Sequence, residues 1–219
     1  MEARPSPLLG QLQTLLSELY VLDVRYDVHD FLLTDARVAR ILDADGRAVD
    51  EKLLIAERCG EAAISLYLDA DLLRRLGRND PARRLSRENL GDFWTALEGV
   101  SHFVYYVWNA VLQKSVTLLE MELQAEVDKF IGTVLLLRSQ GFPPPAELHS
   151  WLFDMPSFDT RLDAEELDRY RSANRYAGKY CMKLARRLAA RTDPAALKRE
   201  LCYFYRLPQP AKIEHIEAD

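Results

Sequence analysis

A nearly continuous apolar run from Val100 to Leu112 constrains the fold of this chain most, because it contains a histidine, His102, and closely follows a glutamate, Glu98. The spacing of its bulky side chains predicts a helix over residues 86–113, capped by Ser86. An ionisable side chain in such a run is costly to bury unless it finds a partner. The run therefore predicts a core helix and a place where charged groups meet.

An acidic helix is predicted directly after this run. Thr117 and Glu120 form a Thr-x-x-Glu capping pattern, which opens a helix that continues to about Ser139. The connection between the two helices spans only residues 113–116. Because short connections join antiparallel neighbours, the two helices should lie side by side.

This arrangement brings carboxylates towards the histidine. Glu98 and His102 lie one helical turn apart on one face, and folding about the short connection places Asp128 opposite His102. A histidine between two carboxylates suits general acid or base chemistry, so Glu98, His102 and Asp128 are the candidate catalytic residues. The candidate metal ligands are Glu98, His102 and Glu126, because such a set on helices resembles part of a carboxylate-bridged metal site.

The pattern departs from that kind of metal site. Carboxylate-bridged bundles carry Glu-x-x-His motifs, whereas Glu98 and His102 are four residues apart and no Glu-x-x-His is present. The chain has only four histidines, and two of them, His149 and His215, fall in segments predicted to be irregular.

A purely structural interpretation is the alternative. Glu98 and His102 could simply hydrogen-bond each other or a neighbouring helix. Glu122 and Glu126 share a face with Lys129, which is typical of a solvated helix surface. Glu120 is accounted for by its capping role.

The first 80 residues mix helix and strand patterns. Leucines at helical spacing predict a helix over residues 8–19, and strict alternation of apolar and polar side chains predicts a strand over residues 22–28. Residues 52–58 and 61–68 predict a β-hairpin. The remaining predictions for this part are helices near 35–42 and 69–77 and turns at Asp45-Gly46 and Cys59-Gly60.

Beyond residue 80 the pattern is helical. Asp163 and Glu166 form a second capping box, for a helix to about Arg191. Asp193-Pro194 opens a last helix to about Tyr205, and a tail is predicted to begin at residue 207. We predict an α+β fold, with an N-terminal helix and a small antiparallel sheet of about three strands packed on a C-terminal bundle of about four helices. The α/β portion, residues 1–80, and the helical portion, residues 81–219, are expected to form one compact unit.

A stripe of basic side chains runs along the long helix that Asp163 is predicted to cap. Residues 171–191 contain seven Lys/Arg and no Asp/Glu. The stripe, interleaved with tyrosines, predicts binding of an acidic protein partner or an anionic ligand, with nucleic-acid contact as another possibility. The alternatives are docking near the acidic helix of the same chain or a solvated face. The candidate partner-binding residues are Arg171, Arg175, Tyr176, Lys179, Lys183 and Arg187.

Composition narrows the class of protein. The net charge of −5 argues against a general nucleic-acid binder, and three widely spaced cysteines fit free thiols in a reducing compartment. There is no signal-peptide pattern, and the longest apolar run is too short to span a bilayer. We therefore expect a cytoplasmic protein without a membrane partner; the sequence leaves a homo-oligomer open.

No phosphate-binding loop or nucleophile elbow is present in the sequence. We expect no cofactor, and the leading prediction is a non-catalytic interaction or adaptor protein that uses the basic helix. The main alternative is an enzyme or metal-binding protein centred on Glu98 and His102.

Overall fold

The computed structural model describes residues 7–43, 49–58, 61–156, 161–190 and 193–218. Within these ranges the chain forms nine α-helices, one short 3₁₀ helix and three β-strands. The predicted α+β class, with a small sheet and a helical bundle, is confirmed. The predicted turns at Asp45-Gly46 and Cys59-Gly60 lie outside the described residues.

The N-terminal part contains the sheet and three of the helices. Asp35 and Asp69 cap the second and third of these helices, because each carboxylate accepts hydrogen bonds from backbone N–H groups of the first turn. The elements are α1 (Pro7–Tyr20), a 3₁₀ helix (Val28–Phe31), β1 (Leu32–Leu33), α2 (Ala36–Leu42), β2 (Glu51–Arg58), β3 (Glu61–Leu68) and α3 (Ala70–Arg78).

The sheet is mixed, with the strand order β1-β3-β2. The predicted hairpin is confirmed, since β2 and β3 pair antiparallel, with Ile55 opposite Ile64. The third strand is β1, which pairs parallel to β3, with Leu32 opposite Leu66. The predicted sheet was therefore wrong in being wholly antiparallel, because its third strand follows the 3₁₀ helix and runs alongside β3.

The strand predicted at residues 22–28 is wrong. Its backbone groups bond to a side chain of α1 instead of to a neighbouring strand. The Gln13 amide donates to the Tyr26 carbonyl at 2.6 Å and accepts from the Val28 N–H at 2.8 Å. One glutamine thus provides bonds that a strand partner would otherwise supply.

The C-terminal part consists of helices. It differs from the prediction in where the first helix begins and in having a helix after residue 207. Asn89, rather than Ser86, precedes the first of them, because its side chain accepts from the Ser86 N–H and holds that residue in the loop. The predicted tail after residue 207 is a helix that buries Lys212 and Ile216. The helices are α4 (Leu90–Val111), α5 (Leu118–Ser139), α6 (Leu148–Phe153), α7 (Ala164–Ala189), α8 (Pro194–Arg206) and α9 (Gln209–Glu217).

Helix α4 lies at the centre of the core. It packs against α5 on one side and against α1 and the hairpin on another. Leu97, Val100 and Phe103 of α4 are fully buried in a cluster that also includes Leu9 of α1 and Leu66 of β3. This packing places the charged residues of α4 between the sheet and α5.

Two further expectations concern the thiols and the membrane. Cys181 is a buried free thiol and Cys202 is a partly buried one, whereas Cys59 lies outside the described residues. None of the helices that the structure describes is both long and apolar enough to cross a bilayer.

Candidate functional site

A pocket of about 760 Å³ lies between α4, α5, α7 and the start of β2. A cavity of this size can hold a small organic molecule. Much of its lining is apolar, but one wall carries charged groups, which we call the acidic cluster. The cluster consists of Glu51, Glu98, His102, Glu122, Glu126 and Lys129.

Three elements supply the acidic cluster. Glu51 is the first residue of β2, and Glu98 and His102 lie one turn apart on α4. The other members follow each other at intervals of four and three on α5, and therefore share one face of that helix. The cluster forms where α4 passes between the hairpin and α5.

His102 lies between two carboxylates and is only 5% exposed. Its Nδ1 is 3.3 Å from Oε1 of Glu51, and its Nε2 is 3.5 Å from Oε2 of Glu122. Burial acts to lower the pKa of His102, but attraction to Glu122 and Glu51 outweighs it and raises the pKa well above 6.5. Nε2 has no hydrogen-bond partner among the described residues.

Lys129 joins the other two carboxylates of the cluster. Its Nζ is 2.6 Å from Oε1 of Glu126 and 3.1 Å from Oε2 of Glu98. Burial opposes ionisation of Glu98, but Lys129 and His102 outweigh it and lower the pKa of Glu98. At Glu126, burial raises the pKa more than the attraction of Lys129 lowers it. At Glu51, burial likewise outweighs the attraction of His102, so the pKa of this carboxyl is also raised.

Three side chains of the cluster could hold a metal ion together. One ligand atom each from Glu98, His102 and Glu122 lies within 4.8 Å of the other two. One imidazole nitrogen and two carboxylate oxygens form a donor set that suits first-row transition metals. The metal ligands predicted from the sequence included Glu126 and not Glu122. In the structure Glu126 forms an ion pair with Lys129, and Glu122 lies beside His102.

Gly99 allows the hairpin to approach α4. A Cβ atom at this position would lie 2.8 Å from Cγ of Glu51 and 3.0 Å from Cδ1 of Leu66. The absence of a side chain at Gly99 therefore gives Glu51 the space it needs beside His102.

Asp128 lies close to the predicted level of α4, bonded to Ser101, the residue before His102, but it does not belong to the acidic cluster. It is 1% exposed and lies on another face of α5. Its carboxylate accepts from Ser101 Oγ at 2.6 Å, from Gln124 Nε2 at 2.9 Å and from the Tyr20 hydroxyl. Burial raises the pKa of Asp128 to about 6, although these hydrogen bonds oppose the rise.

A buried lysine lies beside Asp128. Lys212 of α9 is 0% exposed, and its Nζ donates to Oε1 of Gln124 at 2.6 Å. The same nitrogen lies 4.5 Å from the ring centroid of Phe204 and 5.0 Å from that of Tyr105. Burial lowers the pKa of Lys212 to about 7, against the attraction of Glu120 and Asp128.

Glu120 is buried, and its predicted role in a capping box is only half right. The Thr117 side chain does accept from the Glu120 N–H. The Glu120 carboxylate, however, accepts from the Tyr105 hydroxyl and from the backbone N–H of Gln209. It therefore ties α5 to α4 and to the start of α9.

Much of the basic stripe of α7 is used within the chain. Lys179 pairs with Glu217, Lys183 donates to backbone carbonyls at the end of α9, and Arg187 pairs with Glu200. Of the other described basic residues in this stretch, Arg171, Arg175 and Arg186 are exposed, and the Arg175 guanidinium lies 4.5 Å from the Tyr176 ring centroid. Binding of an acidic partner, an anionic ligand or nucleic acid at this surface stays a prediction.

Several residues of the pocket were not predicted from the sequence. Glu51 comes from a strand far away in sequence, and Arg169 and Tyr170 come from α7. Glu122 was predicted to be solvated but is 9% exposed. His149, predicted to lie in an irregular segment, is in α6 and contacts the Gly178 carbonyl at 2.8 Å.

Comparison of the chain with models of protein families, with curated proteins and with solved structures gave no match. Its function must therefore be argued from the pocket itself.

Proposed function

We propose that this protein is a metal-dependent enzyme that holds one divalent transition-metal ion at Glu98, His102 and Glu122 and acts on a small organic molecule. The observation that carries this proposal is the convergence of three ligand atoms within 4.8 Å on the wall of a 760 Å³ pocket. A metal centre with three protein ligands beside a cavity keeps positions open for a substrate.

The charges of the acidic cluster support a cation. The four carboxylates of the cluster face one lysine and one histidine, so their full ionisation leaves negative charge that the cluster itself does not balance. Buried charges need a partner or a metal ion. Burial raises the pKa of Glu51 and of Glu126, which makes ionisation of both carboxyls costly without a further cation nearby.

The surroundings of His102 fit the same function. A histidine that binds a metal through one ring nitrogen usually donates from the other to a carboxylate, which fixes its tautomer and orientation. Nδ1 of His102 faces Glu51 at 3.3 Å, whereas Nε2 lacks a hydrogen-bond partner in the described part of the chain. Glu51 is therefore the orienting carboxylate, and Nε2 is the metal-binding atom.

The pocket also supplies a group for proton transfer. A bound cation would polarise a carbonyl or lower the pKa of a water molecule. Glu126 lines the pocket, is held by Lys129, and has a pKa raised by burial. A carboxylate with a raised pKa suits general acid or base catalysis near neutral pH, so we assign Glu126 this role.

The first prediction concerns metal content. Protein dialysed against Mn²⁺ or Zn²⁺ and then against buffer is expected to retain about one equivalent, and His102→Ala should retain less than a tenth of that amount. Glu122→Gln removes a ligand with almost no change in shape and should also lose the ion. Elemental analysis measures the content, and circular dichroism checks that each variant is folded.

The matched control is His29→Ala, which removes a histidine from the 3₁₀ helix outside the pocket and should leave metal content unchanged. Wild-type protein that binds neither ion, or folded His102→Ala and Glu122→Gln variants that bind as much as wild type, would contradict the proposed function.

The second prediction concerns Gly99. Gly99→Ala should push Glu51 away from His102 and weaken metal binding about 10- to 100-fold, as is usual when a ligand loses its orienting carboxylate. Competition with a fluorescent chelator measures the affinity. Gly77→Ala is the control, because a Cβ there meets nothing within 4 Å. Equal affinities for the two variants would show that Glu51 has no such role.

A further inference from the structure

The lining of the pocket also includes an arginine, Arg169, whose guanidinium lies 5.5 Å from the Tyr170 ring centroid. Arg169 of α7 lines the pocket, and its Nε is buried without a hydrogen-bond partner among the described residues. In that same part of the chain no carboxylate forms an ion pair with Arg169. Glu166, one turn earlier, uses its carboxylate to accept from the Asp163 N–H.

Two tryptophans, Trp94 and Trp151, also line the pocket. The Trp94 indole donates to Thr133 Oγ1 at 2.9 Å, which fixes the ring at the pocket. The Arg87 guanidinium lies 5.1 Å from the ring centroid of Trp151, another lining residue. Partly buried aromatic rings offer apolar contact area at little cost in conformational entropy.

We infer that the substrate of this pocket is a small organic acid with an apolar body, whose carboxylate binds Arg169 while its other end reaches the metal ion. Arginine presents paired N–H donors that match the two oxygens of a carboxylate. Trp94 and Trp151 offer that body an apolar surface in the pocket. This inference rests on the proposed function, and it adds the chemical class of the substrate.

The acidic cluster makes this binding depend on the metal ion. Unbalanced carboxylates in the same pocket repel an organic anion, and a divalent cation removes that repulsion. Binding of the metal ion should therefore increase the affinity of the protein for the acid. By linkage, binding of the acid should increase the affinity for the metal ion by the same factor.

Benzoate is the probe, and benzyl alcohol is the neutral comparison of similar size. Isothermal titration of Mn²⁺-loaded protein should show benzoate binding at least tenfold more tightly than benzyl alcohol, and at least tenfold more tightly than it binds metal-free protein. Arg169→Gln should lose benzoate affinity by a factor of ten or more but keep one equivalent of Mn²⁺.

Arg138→Gln is the matched control, because Arg138 is exposed near the end of α5 and is not among the residues that line the pocket, so this variant should bind benzoate as wild type does. Two results would overturn the inference: loaded wild-type protein that does not bind benzoate, or an Arg169→Gln variant that binds it unchanged. Either result with Mn²⁺ still bound leaves the proposed function standing, whereas absence of Mn²⁺ from wild-type protein refutes that function first.

Discussion

Asp128→Ala is expected to lower the free energy of unfolding by about 3–5 kcal/mol, because several buried donors lose the same acceptor at once. Three buried donors, from Tyr20, Ser101 and Gln124, would lose their acceptor. A buried donor left without a partner costs about 1–3 kcal/mol. Because Tyr20 is on α1 and Ser101 on α4, the loss should affect the packing of both helices on α5.

Urea unfolding followed by circular dichroism measures this effect. Asp168→Ala, at an exposed position on α7, is the control and should change the stability by no more than about 0.5 kcal/mol. Asp128→Asn keeps the shape and part of the acceptor capacity, so its stability should fall between those of wild type and Asp128→Ala. A loss below about 1 kcal/mol for Asp128→Ala would mean that water or other groups satisfy these donors.

Lys212 should make stability depend on pH. Its pKa is about 7 in the folded protein, against 10.5 for an ordinary lysine. Between these values the unfolded chain binds more protons than the folded one, so stability due to Lys212 rises with pH, by at most about 1.4 kcal/mol per unit. His102 acts in the opposite direction, because its raised pKa lets the folded state hold a proton that is lost as pH rises.

The comparison with Lys212→Met separates these two contributions. The stability of wild type minus that of Lys212→Met should increase by about 2 kcal/mol between pH 7 and pH 9, whereas His102 contributes equally to both proteins. The Asp128 carboxyl, with a pKa of about 6, titrates mainly below this window. Lys198→Met, at an exposed lysine of α8, is the control, and parallel profiles for wild type and Lys212→Met would refute the prediction.

The helices of this fold could be predicted well because their signals are local. Asp69, Thr117 and Asp163 each cap a helix where the sequence predicts one, and these bonds involve neighbours within three residues. The hairpin was predictable for the same reason. The prediction of a strand at residues 22–28 failed, because the alternation of apolar and polar residues does not reveal that Gln13 of α1 forms hydrogen bonds with this backbone.

The candidate site could be predicted only in part. Glu98 and His102 were identifiable because two ionisable residues interrupt an apolar helix. The partners of His102 were not, since Glu51 reaches it through a contact between a strand and a helix 51 positions apart, and the choice between Glu122 and Asp128 depends on the rotation of α5 about its axis. Helix α9 was missed because its most buried residue, Lys212, is charged.

The complete burial of Lys212 also makes this residue a chemical reporter of local opening. An amine-reactive reagent can modify the exposed Lys198 in the native protein, but it reaches Lys212 only when α9 separates from α5 and α8. The rate at which mass spectrometry detects modification of Lys212 therefore measures how often the C-terminal helix detaches. A single labelling time course would record this motion without any substitution in the chain.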